Sequence, residues 1–89
     1  MVYVDTLDKP YMSMLMSHMV ADTRKELIDM ADKIGIKERW IQNYGKAKEH
    51  FDVSKVKKEM AIKHGAKLVS PKEIVRIINN RDLIKYQEG

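Results

Sequence analysis

Met14-Leu15-Met16-Ser17-His18-Met19-Val20-Ala21-Asp22-Thr23-Arg24-Lys25-Glu26 is the stretch that decides the fold. Its first eight residues are evenly apolar and too few for an amphipathic helix, the pattern of a central strand with both faces covered. Thr23 to Glu26 is a capping box: the threonine hydroxyl accepts from the backbone N–H of Glu26, and that carboxylate reaches back to the N–H of Thr23. A strand therefore passes directly into a helix. Leu27, Met30, Ala31 and Ile34 continue at helical spacing, and Gly35 followed by Ile36 supplies a Schellman ending.

The same passage occurs twice more. His50-Phe51-Asp52-Val53 reads as a strand ending at Ser54, which caps a helix through Lys55 to His64 that Gly65 closes. Its apolar stripe is thin, Val56, Met60 and Ala61, with Lys57, Lys58 and Lys63 exposed, so the helix is expected at an edge of the domain. Lys67-Leu68-Val69 is a strand that runs into Ser70-Pro71-Lys72-Glu73, a second capping box with proline at the first helical position. Ile74, Val75, Ile77 and Ile78 are expected to form that helix's buried face. Upstream, Val2-Tyr3-Val4 is a strand ending at Asp5, and Thr6 to Ser13, which contains Pro10, is a loop. Arg39-Trp40-Ile41-Gln42 is a short extended segment with Trp40, the only tryptophan, as a core anchor. Alternating strands and helices predict a single small α/β domain over residues 1–89, about four short strands in one sheet with three helices. Residues 79–89 are a frayed helix end or a docking tail.

Composition narrows the function classes. The chain has 89 residues, 44% hydrophobic and 34% charged, an ordinary globular balance with room for one small core. It lacks cysteine, which removes disulfides, thiolate zinc sites and a cysteine nucleophile and fits a reducing cytoplasm. No signal-peptide core and no membrane-length apolar run is present, so no membrane partner is expected. The net charge of +4 is uneven, because residues 46–89 hold eleven Lys/Arg against six Asp/Glu while residues 1–45 hold six against seven. A basic C-terminal half can attract phosphate-bearing partners, nucleic acid included, although a lysine-rich solvated helix surface is the more ordinary explanation. The seven methionines, four of them at 12, 14, 16 and 19, are expected to fill core gaps.

The candidate site comes from residue types at strand ends. Side-chain alternation puts His18 with Asp22 on one face and His50 with Asp52 and Ser54 on another. If the two strands are neighbours, both histidines and both aspartates converge near helix N-termini, where free N–H groups and the helix dipole accept an anion. Asp5, just past the first strand, and Arg39 and Gln42, planar polar groups beside Trp40, complete the ligand-binding candidates. A metal, if one is held, would use His18, His50, Asp22 and Asp52, an N/O set suited to zinc or manganese. General acid–base work by a His/Asp pair is the other chemistry these residues permit. No standard phosphate-binding loop, zinc finger or RNA-binding signature occurs.

Val2-Tyr3-Val4-Asp5, Ser17 to Asp22, Arg39 to Gln42, His50 to Ser54 and Gly65-Ala66, in this order and spacing, resemble the small uncharacterised phage and bacterial domain-of-unknown-function family 4031. The likeness covers residue 2 to about 66 and departs from the family's pattern at Phe51, where tyrosine is more usual, and at Lys57-Lys58, where Lys-Arg is. It implies a phage or prophage origin and a host-cytoplasmic setting, and it brings no activity or cofactor with it. The expected function is a phage-type module binding an anionic, phosphorylated, nucleotide-like ligand at the strand ends. A small hydrolase or nuclease using the same His and Asp residues, with or without a divalent metal, is one alternative. A host-protein interaction factor is the other.

Overall fold

The computed structural model describes residues 1–89. The elements are β1 (Val2–Asp5), β2 (Lys9–Tyr11), β3 (Met14–Ala21), α1 (Arg24–Lys33), a single 3-10 turn (Glu38–Trp40), β4 (Phe51–Ser54), α2 (Lys55–Lys63), β5 (Lys67–Val69), α3 (Pro71–Asn80) and α4 (Leu83–Glu88). The fold is α/β as expected, with a mixed sheet of five strands rather than four and four α-helices rather than three.

β3 is the hub of the sheet. Met16 to Met19 pair antiparallel with β4 along one edge, while the other edge takes β2 at Met14 to Met16 and β1 at Met19 to Ala21. β5 lies parallel to β1 on its far side. In this register Val2, Val4, Ser17, Met19, Ala21, Phe51 and Val53 share one face. That face meets Leu27, Met30 and Ala31 of α1, Ile34 just past its end, and Ala61 of α2 in the main core. Tyr3, Asp5, His18, Val20 and Asp52 point to the opposite face, where Ile74 of α3 closes over the buried Val20. The cross-strand partners that build the core on one side thus place the polar residues together on the other.

The hydroxyl caps form as the sequence dictates, whereas the Glu73 carboxylate pairs with Arg76 and does not reach back to Ser70. Thr23, Ser54 and Ser70 each accept through their hydroxyl from the backbone N–H three residues on. The Glu26 carboxylate takes the Thr23 hydroxyl at 2.9 Å. At the end of α1 the Ile36 N–H donates to Ala31 and the Gly35 N–H to Asp32, a Schellman motif that buries Ile36. Gly35 sits at φ +77°, and a Cβ there would approach Lys57 Nζ to 3.1 Å. Gly35→Ala is therefore expected to cost about 1–2 kcal/mol, the left-handed penalty for an L side chain. A fall in the urea midpoint at unchanged m-value checks this.

Several expectations are corrected. Residues 9–11 form a strand, not part of a loop, because β2 lies at the sheet edge, where Pro10 sacrifices no needed donor, and Met12 at φ 56° turns the chain tightly into β3. Arg39 and Trp40 lie in the 3-10 turn instead of a strand, and only Gln42 bridges to His50. Trp40 is 55% exposed and is no core anchor, because Ile41 takes the inward position beside it. β3 is covered on both faces only in its second half. Met12, Met14 and Leu15 are exposed, so the methionines near the hairpin tip fill no core gap. On α2 Val56 is exposed while Lys58 is buried, its ammonium donating to the Asp5 carbonyl and the Asp8 carboxylate. On α3 only Ile74 is fully buried, and Val75 faces out. Of the C-terminal residues, 79 and 80 end α3, and α4 packs against α1 with Tyr86 buried.

Candidate functional site

β1, β3 and β4 present a row of polar side chains across the sheet. His18 pairs directly with Asp52, and Asp5 lies on its other side, one step past the Val4–Met19 pair. β1 ends there and β2 begins only at Lys9, so the Asp5 carboxylate replaces the missing strand as partner. Its Oδ1 accepts the His18 backbone N–H at 3.2 Å, and its Oδ2 lies 2.9 Å from His18 Nδ1. The connection itself is pinned by Ser17 Oγ, which donates to the Leu7 carbonyl, and by Lys58. Lys58 beside it holds the Asp8 carboxyl below its ordinary range. Asp5 is wholly buried, while the His18 side chain is about a third exposed.

His50 enters from the start of β4, one residue-pair removed from Asp52 on the same face. Its ring centroid lies 5.3 Å from that of His18, with the planes at 65°. Its Nδ1 is 2.7 Å from the Lys48 carbonyl. A carbonyl only accepts, so Nδ1 carries the proton and Nε2 is left to face Asp52 Oδ1 at 3.2 Å. Nε2 and that carboxylate oxygen are thus two electron-pair donors facing each other, an arrangement a shared cation would join. The Asp5 carboxylate likewise fixes a proton on Nδ1 of His18, leaving its Nε2 as the uncommitted nitrogen. One donor atom from each of His18, His50 and Asp52 falls within 4.8 Å of the other two.

Two clefts meet at this cluster. One, of about 370 Å³, is lined by Lys9, Tyr11, Trp40 and Gln42 together with His18 and Asp52. The other, of about 360 Å³, is lined by both histidines, Asp5, Lys48 and the apolar face of α3. The structure thus brings together Asp5, His18, Gln42, His50 and Asp52 from the sequence candidates. It leaves out the other three. Asp22 lies four residues beyond His18, roughly 13 Å along the strand, and accepts from the Tyr3 hydroxyl. Ser54 is spent on capping α2, and Arg39 is exposed and makes no ion pair. Because β3 and β4 run antiparallel, the helix N-termini at Thr23 and Ser54 sit at opposite ends of the pair and do not converge.

Sequence reading missed a second polar cluster that holds the His50 segment in place. Glu49 is fully buried and accepts two hydrogen bonds from the Arg24 guanidinium, one from the Tyr86 hydroxyl and one from the Gly45 N–H. Burial opposes its charge, yet these donors hold its carboxyl below the usual range. Burial and the bond to Glu49 push the Tyr86 phenol up. Arg81 lies 3.8 Å over the Tyr86 ring and donates to the carbonyls of Ala21, Ala47 and Glu49. No local motif announces such a cluster, since its members lie at 24, 45, 49, 81 and 86.

The sequence matches the model of the family described as Protein of unknown function (DUF4031) over residues 2–81, and the chain belongs to that family. The match extends into α3, beyond the quoted motifs. No curated protein and no solved structure matches the chain.

Proposed function

We propose, for this member of the DUF4031 family, that His18, His50 and Asp52 hold a divalent first-row metal ion whose open positions bind the phosphate of a small anionic ligand. The observation that carries the reading is the 3.2 Å approach of His50 Nε2 to Asp52 Oδ1 while Nδ1 is already committed to Lys48. Tetrahedral zinc, with bonds of about 2.0–2.2 Å, sets its ligand atoms roughly 3.3 Å apart, so that edge of the polyhedron is already present. A ring nitrogen of His18 lies within 4.8 Å of the other two donor atoms, so an inward movement of that ring would complete the set. Both histidines have the outer partner that metal-bound imidazoles ordinarily have, a carboxylate for His18 and a backbone carbonyl for His50. Two imidazoles and one carboxylate favour zinc or manganese over calcium or magnesium. Lys9 and Lys48, one in each cleft, add positive charge for the anion.

Zinc or manganese added to chelator-treated protein is expected to raise Tm. At a hundredfold excess over Kd the bound ion stabilises by about 2.7 kcal/mol, some 10–20 °C for a domain of this size. EDTA reverses the rise, and His64→Ala, which removes the one histidine outside both clefts, leaves it intact. If neither ion shifts Tm at millimolar concentration, the proposal is overturned.

The ligand count favours hydrolysis as a second reading. Three protein ligands leave a position for water, the arrangement of open zinc sites. Slow turnover of an activated phosphodiester, lost with EDTA and with Asp52→Asn, supports it, and metal binding without turnover leaves a binding module.

A further inference from the structure

We infer that the ligand is a nucleotide, with its base stacked on Trp40 and Tyr11 and its phosphate at the metal centre, an inference that rests on the metal reading of His18, His50 and Asp52. The observation behind it is the lining of the first cleft. Trp40 and Tyr11 are 55% and 66% exposed, although each ring would gain free energy from burial. Both line the cleft that ends at His18 and Asp52. Trp40 is held there by the backbone: its N–H donates to Lys37, the next N–H donates to Glu38, and Ile41 anchors the turn in the core. Tyr11 projects from β2 beside the tight Met12 turn.

The remaining lining residues complete a nucleotide's needs. Gln42, bridged to His50 through both backbone hydrogen bonds, offers an amide donor and acceptor for a base edge. Lys9 supplies an ammonium for the phosphate. Stacking platforms accept any base, because every base has a π-face, so this cleft would select for a nucleotide over a plain phosphate without reading its sequence. At about 370 Å³ it has the size of a small-ligand site. The second cleft continues past His18 along α3, so a free mononucleotide and one unit of a single strand present the same chemistry to the centre.

The single tryptophan is its own reporter. In zinc-loaded protein, adenosine 5′-monophosphate or a single-stranded hexanucleotide is expected to quench Trp40 fluorescence saturably, and the tighter of the two identifies the source. Ribose 5-phosphate, which lacks the base, should bind at least tenfold more weakly in a calorimetric titration. Trp40→Ala is expected to weaken nucleotide binding about 5- to 150-fold, the range for one lost stacking contact, while keeping the zinc-induced rise in Tm. Equal affinity for ribose 5-phosphate and the nucleotide, or full affinity in Trp40→Ala, overturns the inference and leaves the metal centre standing. Absence of the zinc-induced rise in the parent protein overturns both.

Discussion

Glu49→Ala is expected to destabilise the protein by about 3–5 kcal/mol, the usual cost of removing one partner from a buried, hydrogen-bonded ion pair. The substitution strands three groups at once: the Arg24 guanidinium, the Tyr86 hydroxyl and the Gly45 N–H. Arg24 stays stacked 4.4 Å over Tyr44 with no carboxylate to meet, and Tyr86 stays buried with a hydroxyl whose acceptor has gone. Native domains have only about 5–15 kcal/mol to lose, so the midpoint of thermal unfolding should fall by more than about 12 °C. Tyr86→Phe, which deletes one hydroxyl and leaves the pair with Arg24, is expected to cost only about 1–2 kcal/mol. The double variant Arg24→Ala/Glu49→Ala should cost less than the sum of the singles, since the second change removes a charge already stranded. A Glu49→Ala loss below about 1 kcal/mol by urea denaturation would show that the cluster does not hold the tail and the 43–50 segment together.

That cluster also shows which parts of the fold were legible in the sequence. Each helix start was readable, because a capping hydroxyl and its target N–H lie three residues apart and the signal is local. The glycine stops were readable for the same reason. Strand β2 was obscured by Pro10, whose usual meaning changes at an unpaired sheet edge, a fact only the strand order supplies. Trp40 was misassigned because a large ring is normally buried, and nothing local tells that Ile41 takes the inward place. The buried Lys58 and Glu49 were invisible, because a charged residue goes inside only when its partners come from far along the chain.

The site was legible in its members and illegible in its geometry. Period-two alternation put His18 with Asp22 and His50 with Asp52 on common faces. Two similar strand-to-helix passages then suggested that their ends lie side by side, as in a parallel sheet. The antiparallel register of β3 and β4 breaks that symmetry and joins the middle of one passage to the start of the other. His18 thereby meets Asp52 while Asp22 and Ser54 are carried to opposite ends, so the histidines come together away from the N-termini of α1 and α2. The start of α3 at Pro71, by contrast, lines the same cleft as both histidines.

Asp5→Asn separates the metal reading from a merely structural one, with an expected tenfold to hundredfold loss of zinc affinity in a folded protein. The wild-type carboxylate makes two bonds to one residue, accepting the His18 N–H through Oδ1 and facing Nδ1 through Oδ2. Asparagine retains the first, because its amide oxygen still accepts the backbone donor, so β1 and β3 stay joined. The second reverses: an NH₂ group now donates to Nδ1, which must become the acceptor, and the ring proton moves to Nε2. The nitrogen needed by the metal is then occupied by hydrogen. Loss of a partner of this kind ordinarily costs 10- to 100-fold in metal affinity, and calorimetric titration with zinc is the measurement. His18→Ala, which deletes the ligand itself, sets the floor, with no binding above that of a chelator-blocked control. Asp5→Ala confounds the two effects, because it also leaves the buried His18 N–H unpaired at a cost of about 1–3 kcal/mol. A folded Asp5→Asn protein that binds zinc as tightly as the parent would mean that Asp5 serves only to close the gap between β1 and β2.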